Sequence, residues 1–280
     1  MVQVPAFRMV PRFEVAALCS RRPDSVEAAG EKLGISDVST DWKAFVERDD
    51  LDVISVCTPV DLHHEQALAA IAAGKHVLVE KPVGLDSTQT GEMLAAAEAA
   101  GVCHAVCFEL RWEPSRLKIW EMVRAGYLGH PYLALARSGA DFWHPTRGLQ
   151  SEWMYKRSEG GGYLMGMGSH DIDYLCALFG EPEAVCADVR NNVPKRQRAD
   201  GSTLDVDADD LGAEVGQHHA GKRPRPDPGE FDDAHPGEWT GIPVVGGRGG
   251  RWGSRGSVHS CRVCRSLASD HGAPLRCPGG

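Results

Sequence analysis

Two short apolar runs, separated by a helical segment, constrain the fold of this 280-residue chain more than any other feature. The first run, Val53–Cys57, is unbroken and stops at Thr58-Pro59, and the second, His76–Val79, leads into Glu80-Lys81-Pro82. Residues 62–73 between them have helical apolar spacing and are followed by glycine, which is typical just past a helix C-terminus. Because unbroken apolar strands are typical of sheets covered on both faces, we predict two buried parallel strands joined by a helix.

The same alternation of strand and helix patterns extends from residue 13 to residue 108. The expected elements are strands at 13–18 and 102–108, and helices at 24–33, 42–48 and 87–100. Asp24 or Ser25 is the expected N-cap of the first of these helices. Strands that alternate with helices at intervals of about 25 residues predict a doubly wound, parallel α/β sheet of Rossmann type over residues 1–107.

A second domain is expected to begin at residue 108, where the spacing of the patterns changes. The expected elements are helices at 115–126 and 169–179, and strands at 132–137 and 184–189. Residues 138–162 between them are irregular and rich in tryptophan, glycine and charge. We therefore predict an incomplete second α/β domain over residues 108–210, with a largely antiparallel sheet packed against helices.

The composition of the chain changes after Leu211. Residues 211–280 contain 15 of the 32 glycines and 7 of the 17 prolines, and large aliphatic residues become sparse. No amphipathic helix or alternating strand longer than a few residues is expected there. A natural disordered tail is one explanation. We favour the other, a shift of reading frame in a GC-rich gene, which yields glycine, arginine, proline and alanine without pattern.

Charge and cysteine content argue against several classes of function. The net charge of −9 argues against a nucleic-acid surface, which needs clustered lysine and arginine. No apolar stretch approaches the ~18 residues of a membrane span, and the N-terminus lacks the apolar core of a signal peptide. Cysteines scattered through apolar runs favour a reducing cytoplasm over a disulfide framework. Cys261 and Cys264 have the spacing of a zinc-ligand pair, but without a second pair we predict no metal site.

Ordered motifs over residues 2–210 resemble one protein family. The matching segments are Cys57-Thr58-Pro59, His63, Gly74-Lys75-His76-Val77, Glu80-Lys81-Pro82, Phe108–Pro114, Tyr127-Leu128-Gly129, Gly160–Leu164 and Gly168–Asp173. Together they resemble the family of glucose–fructose oxidoreductases, inositol dehydrogenases and rhizopine-catabolism proteins (Gfo/Idh/MocA).

This resemblance implies a Rossmann domain that binds NAD(H) or NADP(H). It also implies a second α/β domain whose sheet faces the substrate and often mediates homo-oligomerisation. The implied reaction is hydride transfer between nicotinamide C4 and a secondary alcohol carbon of a sugar, a cyclitol or a related diol.

Lys81 is the main candidate catalytic residue, from its place at the mouth of a strand and from the family resemblance. Oxidation of an alcohol needs a base and reduction of a ketone needs an acid, and such a positioned group supplies about 10²–10⁴-fold in rate. In a partly dry cleft, beside a cationic oxidised nicotinamide, the charged form of a lysine is disfavoured. A surface lysine paired with Glu80 is the structural alternative.

His170 is the second catalytic candidate, because it follows a glycine-rich turn at a helix start. By resemblance it binds substrate or transfers protons, and a structural histidine is the alternative. Asp173 shares its helix face and is expected to form structural hydrogen bonds within the second domain. The family commonly carries an aspartate four residues before this histidine, where this chain has Gly166. The lysine–aspartate–histidine constellation is therefore incomplete, and inositol-dehydrogenase chemistry is not carried over unchanged.

The cofactor is expected at the strand ends, where parallel sheets bind ligands. After the first strand the chain has Ser20, Arg21 and Arg22, where an acidic residue usually indicates NAD. Because a hydroxyl and guanidinium groups suit a 2′-phosphate, we favour NADP(H) over NAD(H), with two solvated arginines as the alternative. The expected cofactor contacts are Ser20, Arg21, Arg22, Thr58 and Pro59, to which the family resemblance adds Leu62, His63, Glu80, Lys81 and Trp153.

Residues 1–7 resemble the helix that follows the family's glycine-rich phosphate loop. No G-x-G-x-x-G precedes the first recognisable strand, so the sheet is expected to lack a central strand and the N–H groups that hold a diphosphate. A chain that starts at Met1 is expected to bind cofactor weakly. Three functions therefore stay open: an NADP-dependent oxidoreductase, a non-catalytic nucleotide-sensing or partner-binding member of the fold, and an inactive fragment.

Overall fold

The computed structural model describes residues 3–136, 138, 144, 148–182 and 184–218. These residues form two compact units. The first contains residues 3–58 and 62–107, and the second contains residues 59–61 and 108–218. Each unit is described by itself below. Within the described residues, every helix is too short or too polar to span a lipid bilayer.

The first unit alternates helices with short parallel strands. Its helices are α1 (Gln3–Arg8), α2 (Pro23–Leu33), α3 (Trp42–Val46), α4 (His63–Ala72) and α5 (Ser87–Ala100). Its strands are β1 (Leu18–Cys19), β2 (Val38–Ser39), β3 (Val53–Val56), β4 (His76–Glu80) and β5 (His104–Cys107). Every pairing is parallel, so the predicted α/β class is confirmed. In the described part of the chain the strands lie in two separate sheets, β1-β2 and β3-β4-β5.

The three-stranded sheet is stabilised by the burial of alternate side chains on one face. Ile54 and Val56 of β3 lie opposite Val77 and Val79 of β4, and all four are less than 10% exposed. Ala70 of α4 belongs to the same cluster and is 0% exposed, because its small side chain lets the helix approach the strands closely. Each Å² of apolar surface removed from water stabilises this packing by about 25 cal/mol.

Two details of the first unit differ from the sequence prediction. The predicted strand at 13–18 is wrong over most of its length, because its pairing with β2 covers only the two residues of β1. The predicted N-cap at Asp24 or Ser25 is also wrong. The N-cap is Arg22, because Pro23 has its φ angle preset for the first helical position and begins α2 earlier.

The second unit combines helices with two antiparallel strand pairs. Its helices are α6 (Pro114–Arg124) and α7 (Ser169–Phe179), and a π-helical turn at Leu164–Gly168 leads directly into α7. Its strands are β6 (Ala184–Arg190), β7 (Lys195–Gln197), β8 (Thr203–Asp205) and β9 (Leu211–His218). β6 pairs with β9 and β7 pairs with β8. A small cluster formed by Tyr155, Tyr163, Leu204 and Val206 is its buried core.

The predicted strand at 132–137 is not formed over residues 132–136, and residue 137 lies outside the described residues. Tyr132, Leu133 and Leu135 are 92%, 80% and 75% exposed. A strand is defined by hydrogen bonds to a neighbour, and the structure shows no strand paired with these residues within its described part. The apolar alternation in the sequence therefore does not produce a strand here.

The expectation that no long strand occurs after Leu211 is wrong for residues 211–218. β9 pairs with β6 from Leu211, opposite Arg190, to His218, opposite Ala184. The apolar alternation of β9 rests on Leu211, Ala213 and Val215, so it has few large aliphatic side chains and predicts a strand poorly. The frame shift was expected at about residue 210, and β9 lies beyond that point. Residues 219–280, including Cys261 and Cys264, lie outside the described residues.

Two helical glycines of the first unit make a matched pair for a stability test. A Cβ at Gly30 in α2 would lie 2.6 Å from the Ile35 carbonyl oxygen, whereas a Cβ at Gly91 in α5 would have open space. We expect Gly30→Ala to lower the free energy of unfolding by about 1–3 kcal/mol through overpacking. Gly91→Ala is expected to raise it by about 1 kcal/mol through helix propensity. Urea unfolding followed by circular dichroism measures both, and equal effects would contradict the described packing of α2.

Candidate active site

Lys81 lies at the carboxyl end of β4, and Thr58 lies just beyond the carboxyl end of β3. The parallel register places Val56 opposite Val79, so the two chain segments leave the sheet at the same edge. Lys81 is partly buried, and the peptide bond between Lys81 and Pro82 is cis. The structure thus brings together two of the predicted site segments, at the edge where open α/β sheets bind ligands.

A single side-chain amide of α1 contacts the ends of all three strands of the larger sheet. Gln3 Nε2 donates to Glu80 Oε1 over 2.7 Å and to the Cys107 sulfur over 3.6 Å. Gln3 Oε1 accepts from the Cys57 thiol over 3.1 Å and from the Ser55 hydroxyl. These contacts join α1 to β3, β4 and β5 at the proposed ligand edge.

Glu80 has a hydrogen bond to each of its carboxylate oxygens. Oε1 accepts from Gln3, and Oε2 accepts from the backbone N–H of Lys81 over 3.1 Å. The carboxylate therefore fixes the backbone from which the Lys81 side chain departs. This supports a positioning role for Glu80, which the sequence had indicated as a cofactor contact.

His63 is the first residue of α4 and is 1% exposed. Its Nδ1 lies 3.0 Å from the Pro82 carbonyl oxygen, and its Nε2 lies 2.7 Å from the Thr58 carbonyl oxygen. Gln66, one helical turn later, accepts from the Thr58 hydroxyl over 2.8 Å. His63 was predicted to contact the cofactor, whereas the structure places its ring inward, between the ends of β3 and β4.

The cofactor-preference residues follow β1. Ser20 donates its backbone N–H to the Ser39 carbonyl oxygen over 3.1 Å, which continues the pairing with β2 by one residue. Arg21 and Arg22 are exposed, and Arg22 is the N-cap of α2. Two guanidinium groups beside a helix N-terminus form a positive site that suits an anionic group.

His170 is the second residue of α7 in the second unit and is 3% exposed. Its ring packs edge-on against Phe108, with the ring centres 5.7 Å apart, and its Nε2 lies 3.8 Å from Glu109 Oε1. The π-helical turn that precedes it contains Gly166, whose N–H donates to the Gly162 carbonyl oxygen over 2.9 Å. π-Helical turns occur frequently at functional sites.

Asp173 forms a two-pronged ion pair with Arg111. Nε of Arg111 lies 2.8 Å from Asp173 Oδ2, and a second guanidinium nitrogen contacts Oδ1. Burial raises the pKa of Asp173, and the Arg111 guanidinium opposes that shift. The pair joins α7 to the turn at Glu109–Trp112, so the predicted structural hydrogen bonding of Asp173 is confirmed.

Asp209 holds the start of the helical segment that carries His170. Its carbonyl oxygen accepts from the Tyr163 N–H over 3.0 Å, and its Oδ2 accepts from the Leu164 N–H over 2.7 Å. Gly162 has a φ of 115°, and a Cβ at this position would overlap Asp209 Oδ1. Glycine is therefore required at position 162 both by conformation and by the approach of the carboxylate.

Trp153 lies in the 3₁₀ turn at Glu152–Tyr155 and is partly buried. It belongs to the second unit, as does His170, whereas Lys81 and Thr58 belong to the first. Pro59 and Leu62, the other predicted contacts, are both partly buried; Pro59 precedes the 3₁₀ turn Val60–Leu62, and Leu62 is its last residue. Among the described residues, no group of three or more His, Cys, Asp or Glu side chains is arranged to hold a metal ion.

Three residues of this region were not identified from the sequence. Gln66 was identifiable in principle, because a polar residue one turn after His63 shares its helix face. Gln3 and Asp209 had no recognisable pattern, since their partners lie 77 and 45 residues away in sequence.

Asp209→Ala removes a carboxylate that caps a helix from a distant segment. We expect the free energy of unfolding of the second unit to fall by about 0.5–2 kcal/mol, as for the loss of other N-caps. Asp205→Ala, at an exposed position of β8, is the control and should change it little. Chemical unfolding followed by Trp fluorescence measures both variants, and equal losses would contradict the capping role.

Known proteins resemble this chain in both units. The family model described as "Oxidoreductase family, NAD-binding Rossmann fold" matches residues 2–108, and the one described as "GFO/IDH/MocA C-terminal domain" matches residues 117–223. The second match ends at residue 223, beyond residue 210, where the second domain was expected to end.

Curated relatives include levoglucosan dehydrogenase of Pseudarthrobacter phenanthrenivorans, 28% identical over 66% of this chain and 47% of that protein. D-glucoside 3-dehydrogenase of Escherichia coli is 33% identical over 60% of this chain and 47% of that protein. The scyllo-inositol 2-dehydrogenase (NADP⁺) IolW of Bacillus subtilis is 27% identical over 72% of this chain and 53% of that protein. The chain thus spans about half the length of the curated relatives it matches.

Solved structures agree with these matches. An oxidoreductase domain protein from Kribbella flavida has a TM-score of 0.65 at 31% identity, over 74% of this chain and 58% of that one. Levoglucosan dehydrogenase in complex with NADH and L-sorbose also has a TM-score of 0.65. Its identity is 25%, over 74% of this chain and 58% of that one. With a first segment that matches the family's Rossmann-fold model and a second that matches its C-terminal domain, the chain belongs to the Gfo/Idh/MocA family of oxidoreductases.

Proposed function

We propose that this chain is an NADP(H)-dependent oxidoreductase that acts on a secondary alcohol or ketone of a sugar, cyclitol or diol. The observation that supports this most is the position of Lys81 at the carboxyl end of β4, beside the end of β3 at Thr58. Bound nicotinamide would supply hydride transfer. The chain itself must then supply a group that exchanges a proton with the substrate oxygen.

Lys81 is the residue proposed for that proton exchange. Its backbone is fixed on one side by Glu80 and is followed on the other by Pro82, whose carbonyl oxygen contacts His63. A fixed backbone sets the origin and initial direction of the Lys81 side chain, which is one part of what orientation contributes to catalysis. Lys81 would accept the hydroxyl proton at Nζ during oxidation and return it during reduction.

We propose that His170 binds the substrate or transfers a proton. Its burial, its packing on Phe108 and the preceding π-helical turn support a fixed position. The substrate class is proposed from the names of the relatives, which include dehydrogenases of levoglucosan, D-glucosides and scyllo-inositol.

A non-catalytic, nucleotide-sensing member of the family is the second candidate. Gly166 supports it, because the position has no side chain that could complete a lysine–aspartate–histidine constellation. We also propose a cytoplasmic protein that forms homo-oligomers and uses 1–107 and 108–210 as its two domains. Five described cysteines carry free thiols, which is typical of a reducing compartment.

Lys81→Met tests the catalytic assignment. We expect turnover with NADP⁺ and a panel of scyllo-inositol, levoglucosan and methyl D-glucoside to fall by more than about 10²-fold, since methionine cannot exchange a proton. The dissociation constant for NADPH, measured by fluorescence titration, should change little. Lys32→Met, at an exposed position of α2, is the control. Normal turnover in Lys81→Met would refute the assignment.

Arg21→Ala combined with Arg22→Ala tests the preference for NADP(H). Charge-assisted hydrogen bonds contribute about 1.5–3 kcal/mol, so we expect at least tenfold weaker NADPH binding. NADH has no 2′-phosphate, and its dissociation constant should stay the same. Arg12→Ala, at an exposed position before β1, controls for general loss of positive charge. Equal weakening of both cofactors would overturn the proposal.

A further inference from the structure

The His63 ring joins the two strand ends on which the proposed chemistry depends. Both of its nitrogens face backbone carbonyl oxygens, Thr58 after β3 and Pro82 after β4, at 2.7 and 3.0 Å. The ring is 1% exposed, so it belongs to the support of this edge and not to its ligand-facing surface. His63 begins α4, the helix that covers the same two strands.

A carbonyl oxygen only accepts hydrogen bonds, so each contact is a hydrogen bond when the ring nitrogen that faces it carries the N–H. Nδ1 faces the Pro82 carbonyl oxygen and Nε2 faces that of Thr58, and a neutral imidazole donates to one of them at a time, according to its tautomer. An unsatisfied buried carbonyl loses water without gaining a partner, which is costly. Loss of the ring would therefore release one or both strand ends from α4.

The two carbonyls border different parts of the proposed site. Pro82 directly follows Lys81, so its carbonyl position affects the backbone of the proposed proton-transfer residue. Thr58 begins the loop proposed to contact the cofactor, and its hydroxyl is also held by Gln66 on α4. His63 is thus the one described residue that contacts the backbone of both segments through its side chain.

We propose that His63 is a positioning residue that locks the Thr58 loop and the Lys81-Pro82 segment into one arrangement. This positioning role rests on the proposed function, which assigns the Thr58 loop to cofactor binding and Lys81 to proton transfer. Nδ1 sets the position of Lys81, and Nε2 sets the position of the cofactor loop. The side chain acts through these backbone groups and does not touch the reacting atoms.

Two substitutions separate the contacts of the two ring nitrogens. In His63→Asn the side-chain amide lies near the place of Nδ1, so it keeps a donor toward Pro82 and loses the contact with Thr58. In His63→Gln the amide reaches the place of Nε2, so it keeps a donor toward Thr58 and loses the contact with Pro82. His64→Gln is the matched control, because His64 is the next residue of α4 and pairs with Glu92 at the surface.

The measurements are kcat at saturating NADP⁺, the dissociation constant for NADPH and hydrogen exchange of the backbone amides near both strand ends. We expect His63→Gln to lower kcat by about 10²-fold, the effect of a small displacement of a catalytic group, with NADPH binding within twofold of the original chain. His63→Asn should weaken NADPH binding about tenfold and retain most of kcat. Hydrogen exchange should rise near Pro82 in the first variant and near Thr58 in the second.

The outcomes distinguish the two proposals. If Lys81→Met is inactive while both His63 variants have the kcat and the NADPH dissociation constant of His64→Gln, the positioning role is wrong and the proposed function stands. If both His63 variants lose kcat and NADPH binding equally, with exchange raised throughout α4, the histidine is only structural and the proposal is overturned. If Lys81→Met retains turnover, the proposed function fails, and the exchange pattern still decides whether His63 joins the two strand ends.

Discussion

Parallel pairing of β3 with β4 is the interaction on which the rest of the first unit depends. Its register places Val56 opposite Val79 and buries both against α4 and α5. Because side chains alternate across a strand, this register also directs Ser55 and Glu80 to the other face, where Gln3 contacts them. A shift of one residue would exchange the two faces and separate the strand ends that form the proposed site.

The strand ends themselves are held by a few polar side chains. Gln3 binds them from α1, and His63 binds them from α4. Hydrogen bonds of this kind contribute little net free energy each, about 1 kcal/mol, but they are directional. The apolar cluster therefore supplies most of the stability, and the polar contacts set the position of the backbone at Thr58 and Lys81.

The second unit uses a different device to fix its candidate residue. His170 lies on α7, and the π-helical turn that leads into α7 is bound at its start by Asp209, a residue from the segment that follows β8. Gly162 makes the close approach of that carboxylate possible. Arg111 and Asp173 join the same helix to a neighbouring turn. The contacts of Asp209, the turn at Gly162 and the Arg111–Asp173 ion pair together determine the position of the His170 imidazole.

Several elements were predictable because their cause is local. The runs at β3 and β4, the helix between them and the start of α7 all carry strong apolar periodicity or glycine punctuation. Residues 13–18 and 132–137 have similar strand propensity, yet the structure pairs only Leu18 within the first and places no strand at 132–136. β9 has weak propensity and nevertheless pairs with β6 from Leu211 to His218, with one register shift. Strand formation depends on a partner, and a partner is not a local property.

The sequence by itself determined the α/β class, the positions of most helices, the family and the identity of Lys81 and His170 as candidates. These follow from periodicity and from ordered motifs, which are properties of neighbouring residues. Only the tertiary structure decided that His63 faces two carbonyl oxygens, that Glu80 binds the Lys81 backbone and that Asp209 caps the helix of His170. These roles depend on hydrogen bonds between residues that are distant in sequence or on side-chain direction, and neither is encoded in a residue's type or spacing.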